Sequence, residues 1–434
     1  MPDTEALRPE PSATYRWIVL VVISLTMFGN YYIYDAINPV TDLFKTQLGF
    51  SDQEIGRLNS IYSVAAVVVL LIGGIIIDRL GTKISVLIFS ILCLVAAILT
   101  VATTVPSVIL AGRFVLGLGA EPLIVAVTTA LAKWFKGKEL SFAFGLNLTV
   151  ARLGSVAADN SPTWAKTIVD FGNWRGPLTI GVAAGVICVI AAVAYWMLES
   201  TAARRYRLGR ATETEKLVFG DLFRFGVSFF FVVGLCFAFY SAVFPFRTFA
   251  VKFFIEGHGT TRELGGQLNS IIPTAAIVAT PLFGLLVDRI GRRGLLMIFG
   301  SLLLVPAYLL MLPGLGVSLY PSTIMLGIAF SLVPAVMWPS VAYIVEENRL
   351  GTAYSLMTLI QQIGFFVMNE LIGKLNDRFG ASAANPDAYA PMLYALSALG
   401  FVGVAFAVML RARESGPYGH GLERITTKTA VAES

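Results

Sequence analysis

FKTQLGFSDQEIGRLNSIYSVAAVVVLLIGGIIIDRLG, residues 44–81, and FIEGHGTTRELGGQLNSIIPTAAIVATPLFGLLVDRIG, residues 254–291, are two copies of one pattern. Fourteen of the 38 ungapped pairs are identical, more than two unrelated apolar stretches would share. The offset of 210 positions persists beyond them: Leu116-Gly117 falls on Leu326-Gly327, Leu146 on Leu356 and Gly154 on Gly364. A chain that repeats itself in one direction predicts two equivalent halves in parallel orientation.

The solvent of those halves is read from composition. The 434 residues are 56% hydrophobic and 14% charged, with a mean hydropathy of +0.76. A water-soluble globule of that make-up would leave apolar surface exposed, so the chain is expected in a bilayer. Apolar runs of about 20 residues, the length that crosses a bilayer core, stand near 17–36, 57–77, 84–103, 106–132, 141–165, 176–198, 225–253, 264–287, 295–313, 317–345, 352–375 and 391–411. The expectation is an all-α membrane protein of twelve transmembrane helices in two pseudo-symmetric six-helix bundles. Its parts are an N-tail over 1–16, a bundle over 17–198, a charged linker over 199–223, a second bundle over 224–411 and a C-tail over 412–434.

Lysine and arginine set the orientation, because basic residues resist translocation. With the N-terminus inside, about nineteen fall on the cytoplasmic face, Lys136 and Lys138 among them, and roughly eight on the other. Both termini are therefore expected in the cytoplasm, and the net charge of +5 reflects membrane topology rather than a nucleic-acid surface. The polar stretch 1–17 lacks the features of a cleaved signal. Cys93, Cys188 and Cys236 lie in apolar runs, where neither disulfide nor metal is expected.

Each half carries one short motif: Gly74 to Lys83, with Asp78, Arg79 and Gly81, and Gly284 to Arg293, with Asp288, Arg289 and Gly291. Both fall in the tight turn between the second and third spans of their half. Glycine permits the turn, and an aspartate there can cap the next helix and pair with an arginine while the cytoplasmic side is closed. The alternative is a set of anchors at the membrane surface, which accounts for the basic residues and leaves the repeated Asp and Gly without a reason.

The doubled G-x-x-x-D-R-x-G, with Arg113 in GRFVLGLG, resembles the major facilitator superfamily over the whole chain. The segments GRFVLGLGAEPL, KWFKGKELSFAFGLNLTVARLGS, FYSAVFPF and MWPSVAYIVEENRLGTAYS are similar to its lysosomal dipeptide transporter branch, the major facilitator superfamily domain-containing protein 1 family. The resemblance implies an alternating-access transporter of dipeptides or short peptides, a uniporter or symporter. It also implies an accessory subunit, as in the eukaryotic members, or else a monomer. Those members carry an acidic dileucine signal near the N-terminus that this sequence does not show, so the expected location is a bacterial-type plasma membrane.

Ionisable groups inside a bilayer are site hypotheses by default. Glu121 and Arg152 lie about equally far from the turn between the fourth and fifth spans, hence at similar depth. Glu121 can accept an ammonium and Arg152 can fork onto a carboxylate, which suits a peptide-like zwitterion; a structural ion pair is the alternative. The resemblance implies the ligand reading. Tyr32 and Asp35 belong to a polar aromatic cluster that either lines a cavity or forms an interfacial belt. Trp338, before Pro339, suits a pocket wall, and Lys252 stands where the branch has a lysine on the seventh span. Arg247 adds another positive charge, and Asp159 either orients Arg152 or lies in an outer vestibule. His258 and His420 are expected outside the spans. No nucleotide-binding loop, metal cluster or nucleophile elbow is legible, so neither an enzyme nor a cofactor is expected. Two rival functions remain, an organic-anion transporter using Arg152, Arg247 and Lys252, and a non-transporting receptor or scaffold of the same fold.

Overall fold

The computed structural model describes residues 8–135, 139–208 and 224–423; Lys136, Lys138, most of the expected linker and the ends of both tails lie outside them. The described chain is helical nearly throughout. In order it forms α1 (Ala13–Asp35), α2 (Thr41–Leu48), α3 (Asp52–Leu80), α4 (Thr82–Ala102), α5 (Pro106–Phe135), α6 (Leu140–Asp159), α7 (Ser161–Trp164), α8 (Lys166–Gly172) and α9 (Arg175–Arg205). It continues with α10 (Val227–His258), α11 (Arg262–Ile290), α12 (Arg293–Leu309), α13 (Leu319–Ile344), α14 (Leu350–Phe379) and α15 (Ala390–Glu414).

Every expected span falls on one of these helices. Ten stretches are long and apolar enough to cross a bilayer, Asp52–Leu80 adds an eleventh that bends by 56°, and α12 is an apolar helix of 17 residues. Large aliphatic side chains such as Val21, Ile190, Val278 and Leu285 point outward and exposed. That arrangement is stable only against lipid.

Two boundaries depart furthest from the sequence reading. The fifth span stops at Asp159 rather than near 165, because Ser161-Pro162 starts the separate short helix α7. The sixth runs to Arg205, beyond the expected 198, because Glu199 turns inward and is buried.

Local sequence explains the helix ends. Ser51 caps α3 through a reciprocal box: Glu54 N–H donates to Ser51 Oγ at 3.1 Å, and Ser51 N–H donates to Glu54 Oε2 at 2.8 Å. The motif glycines Gly81 and Gly291 take φ of 77° and 63°, a region that disfavours side chains, and so turn α3 into α4 and α11 into α12.

The chain divides into two compact units. Unit 1 holds Met1–Lys216 with Thr248–Lys252 and Thr261–Ser270; unit 2 holds Leu217–Arg247, Phe253–Thr260 and Ile271–Ser434. In unit 1, α5 packs on α3 and α4, while α1 packs on α6 and α9. Gly117 makes the α3 contact possible, since a Cβ there would run into the Tyr62 carbonyl. Gly117→Val is therefore expected to destabilise the protein by about 1 to 3 kcal/mol, which thermal unfolding of the detergent-purified chain would register. An unchanged midpoint would mean that α3 yields at no cost. In unit 2, α12 packs on α13 and α15. There Tyr308 Oη donates to the Ala242 carbonyl of α10 at 2.7 Å. The three cysteines are buried free thiols.

Candidate substrate site

In unit 1 the polar residues of four helices meet inside the bundle. Glu121 on α5 is 14 positions before the end of that helix at Phe135, and Arg152 on α6 is 12 positions after its start at Leu140. At about 1.5 Å per residue both lie roughly 20 Å from the turn that joins the helices, so the expected similarity of depth is present. Pro122 follows Glu121 inside the continuous helix α5 and has no N–H, so the helical bond to the Leu118 carbonyl one turn earlier is not made.

Around this pair α1 and α3 contribute aromatic rings. The guanidinium of Arg152 lies 5.5 Å from the centre of the Tyr31 ring. Tyr62 Oη donates to Glu121 Oε1 at 2.8 Å, and its ring packs edge-on against Tyr34 with centroids 4.8 Å apart. Arg113 is buried behind them, its guanidinium 5.3 Å and 5.9 Å from the Tyr34 and Tyr62 ring centres. It donates to the Tyr34 carbonyl at 3.2 Å and to Asn59 Oδ1. An arginine held by carbonyls and rings keeps its charge where little water reaches.

A second polar layer closes this unit next to the site. Asp35, at the end of α1, accepts from Asn38 Nδ2 at 3.1 Å. The same Asn38 reaches Asp159 at 3.2 Å, and Asn269 of α11 donates to Asp159 at 2.9 Å. Tyr32 is buried beside Asp159 and Ser161. Lys252 has no solvent exposure and pairs with the equally buried Asp52 at 2.9 Å, while Lys45 stands 3.5 Å from the same carboxylate. Asn59 donates to Thr248 Oγ1 at 2.7 Å, and Arg262 forks onto Asp42. On the short α8, Lys166 donates to Glu263 at 2.7 Å, a bond that raises its pKa above the ordinary lysine value.

Trp338 belongs to unit 2. Its indole N–H donates to Tyr240 Oη at 2.8 Å, and its ring packs, tilted by 30° with centroids 5.9 Å apart, against that of Tyr354, whose hydroxyl donates back to the Trp338 carbonyl. The first motif leaves Asp78 and Arg79 exposed at the end of α3. In the second, Arg289 and Asp288 are exposed and Asp288 lies 3.7 Å from Arg293 of the same turn, while the N-cap positions are Gly81 and Arg292, neither with a side-chain cap.

A family model described as Major Facilitator Superfamily matches residues 23–369 and 246–427. The chain belongs to the major facilitator superfamily. It is therefore a multi-pass integral membrane protein and a transporter. Among curated superfamily relatives, the lysosomal dipeptide transporter MFSD1 of Danio rerio is 32% identical over 84% of this chain and 81% of its own length. The protein of the same name from Homo sapiens is 31% identical over the same shares. Solved superfamily structures share the fold: a bacterial homologue of the lysosomal transporter Spinster, inward-facing and unoccupied, gives a TM-score of 0.72 at 18% identity, covering 93% of this chain and 98% of that one. The nucleoside transporter NupG gives 0.68 at 14% identity, covering 91% and 98%.

Sequence reasoning passed over Tyr62, Asn59, Asp52 and Glu199. The repeat carried a signal for the first: Tyr62 corresponds to Ile272, as Arg113 does to Thr323, Glu121 to Ser331 and Arg152 to Gln362. In this superfamily member the polar residues that break the repeat are the ones that meet in unit 1. Asn59 had the opposite signal, since LNS recurs at 58–60 and 268–270 and both asparagines are buried in polar contacts. Glu199 shows only as the first charge after an apolar run. It accepts from Thr82 Oγ1 at 3.0 Å and from Lys133 at 2.7 Å, and also from Tyr195, so it ties α9 to the start of α4.

Proposed function

We propose that the chain transports dipeptides or short peptides by alternating access. What supports this most is that Glu121, bonded by Tyr62, and Arg152, lying over Tyr31, stand at similar distances from one turn of one bundle. A zwitterion presents an ammonium and a carboxylate some ångströms apart, and a carboxylate and a guanidinium at the same depth complement both ends. Glu121 weighs against the organic-anion reading, because a fixed negative charge beside Arg152 would repel a second carboxylate or a phosphate. The relatives named as dipeptide transporters point the same way.

Further parts of the reading follow from the same site. Tyr32 and Asp35 would line the path, and Trp338 would stand against the substrate's side chains. Lys252 reaches a substrate carboxylate only on leaving Asp52, so its part would fall in another stage of the cycle. The two motif turns, with Arg113 bracing the first bundle, would form the cytoplasmic gate and its support. The bundles over 17–198 and 224–411 would move as bodies in a bacterial-type plasma membrane with both termini in the cytoplasm.

Purified protein titrated with alanyl-alanine is expected to unfold several degrees higher at saturating ligand, because a ligand that binds only the folded state adds its binding free energy to stability. Uptake of labelled alanyl-alanine into proteoliposomes should saturate. N-acetylated peptide should compete at least tenfold less well, and stabilisation by a dicarboxylate with none by dipeptides would transfer the assignment to the anion class.

A further inference from the structure

The tail after α15 does not trail away. Glu414, the last residue of that helix, is buried and accepts from Ser228 Oγ at 2.6 Å and from the backbone N–H of His420 at 2.7 Å, with His420 Nδ1 at 2.9 Å. These contacts fold residues 415–420 back towards the bundle. Leu422 is then fully buried, and its carbonyl accepts from the Arg293 N–H at 3.2 Å. One residue further, Glu423 Oε1 accepts from the Gly294 N–H at 2.7 Å, and Oε2 lies 3.8 Å from Arg411 Nε.

Arg293 and Gly294 are the first two residues of α12. Free N–H groups and the positive end of the helix dipole gather at such a position, and a carboxylate satisfies both. The residue that should supply the cap is Arg292, which sits in the left-handed region at φ 44° with no side-chain cap. The tail therefore supplies what the local sequence does not. The same Arg293 whose main chain is held by Leu422 also directs its guanidinium to Tyr343 at 3.1 Å and towards Asp288. The first bundle holds its equivalent turn from its own last helix, through Glu199 on Thr82.

We infer that Ser415–Glu423 is a clasp on the second motif turn, with Glu423 the positioning residue that completes the N-terminus of α12. Detaching it frees two N–H groups and lets the turn at Arg292 relax, which alters the turn that carries Asp288 without touching the substrate site.

Hydrogen exchange on the full-length protein in nanodiscs tests this, comparing Glu423→Ala and Glu423→Gln with the unaltered chain. A lost cap is worth roughly a fivefold change in opening, so exchange at Arg293 and Gly294 should rise about fivefold or more in the alanine variant. Glutamine, which keeps an acceptor and loses the charge, should fall between the two. Exchange at the start of α4 should stay as it was. In proteoliposomes the maximal rate of alanyl-alanine uptake should fall at least threefold in the alanine variant, with the half-saturating concentration within twofold. Unchanged exchange at the two amides, an equal rise at both turns, or an unaltered maximal rate would each overturn the clasp. Should the alanine variant not fold, the glutamine variant carries the same comparison. If the unaltered protein takes up no dipeptide, the proposed substrate fails and the exchange measurements alone decide the clasp.

Discussion

Arg152→Lys is expected to lower dipeptide uptake by roughly 30- to 1,000-fold while the protein still folds, which corresponds to about 2 to 4 kcal/mol of lost recognition. Lysine keeps the charge. It loses the planar fork that holds both oxygens of a carboxylate, and it loses the flat face that lies over Tyr31. Glu121→Gln is expected to weaken free-amine peptides by a similar factor and N-acetylated ones far less, since only the former bring an ammonium that needs a counter-charge. Tyr62 can still donate to the amide oxygen in that variant, so the loss reports on the substrate more than on packing. A purely structural role for the two charges predicts another pattern. Each single variant would then fold poorly, and an uncharged double variant would regain both stability and flux. Recovery of flux in the double variant would falsify the assignment of these residues as ligands.

The Asp52–Lys252 pair should give the largest effect on stability. Both side chains are entirely buried, 2.9 Å apart, and they tie the start of α3 to α10 within unit 1. Removing one partner takes the nearest counter-charge from a buried ion, at about 3 to 5 kcal/mol. Lys252→Met should leave the Asp52 carboxylate with Lys45 at 3.5 Å as compensation. Asp52→Asn should be worse, since it removes the carboxylate that faces both Lys252 and Lys45. The double variant Asp52→Asn with Lys252→Met should recover most of the thermal midpoint, because two matched neutral groups need no solvation. What it should not recover is flux, if release of the pair is a step of the cycle. A double variant with wild-type flux would reduce the pair to a structural tie, and a Lys252→Met protein of unaltered stability would show that the charge of Asp52 is satisfied elsewhere.

How much of this was legible beforehand depends on the range of the interaction involved. The helices were read from runs of apolar residues, a local property that a bilayer enforces because no unpaired backbone survives in lipid. The motif glycines with their left-handed φ and the capping box at Ser51 are likewise local and recoverable from neighbours in the chain, and the internal repeat was read by comparing the chain with itself. Glu121 and Arg152 stood out because charge in an apolar run is costly wherever the fold puts it. Their surroundings were another matter. Tyr62 is 59 positions from Glu121 and Asn59 is 54 from Arg113, and nothing in the primary spacing brings them together.

The sequence by itself thus determined an all-helical membrane protein of two repeated halves, because hydrophobic length and turn chemistry act over a few residues at a time and a repeat is read by comparing the chain with itself. Transport was implied by the resemblance of its motifs to a family. Tertiary structure decided which polar groups meet. It drew Lys252 onto Asp52, placed Tyr31 under Arg152, and brought Glu423 to a helix start more than a hundred residues earlier. A buried polar atom must find a partner wherever packing places one, and that partner is chosen by helix positions that no local pattern encodes.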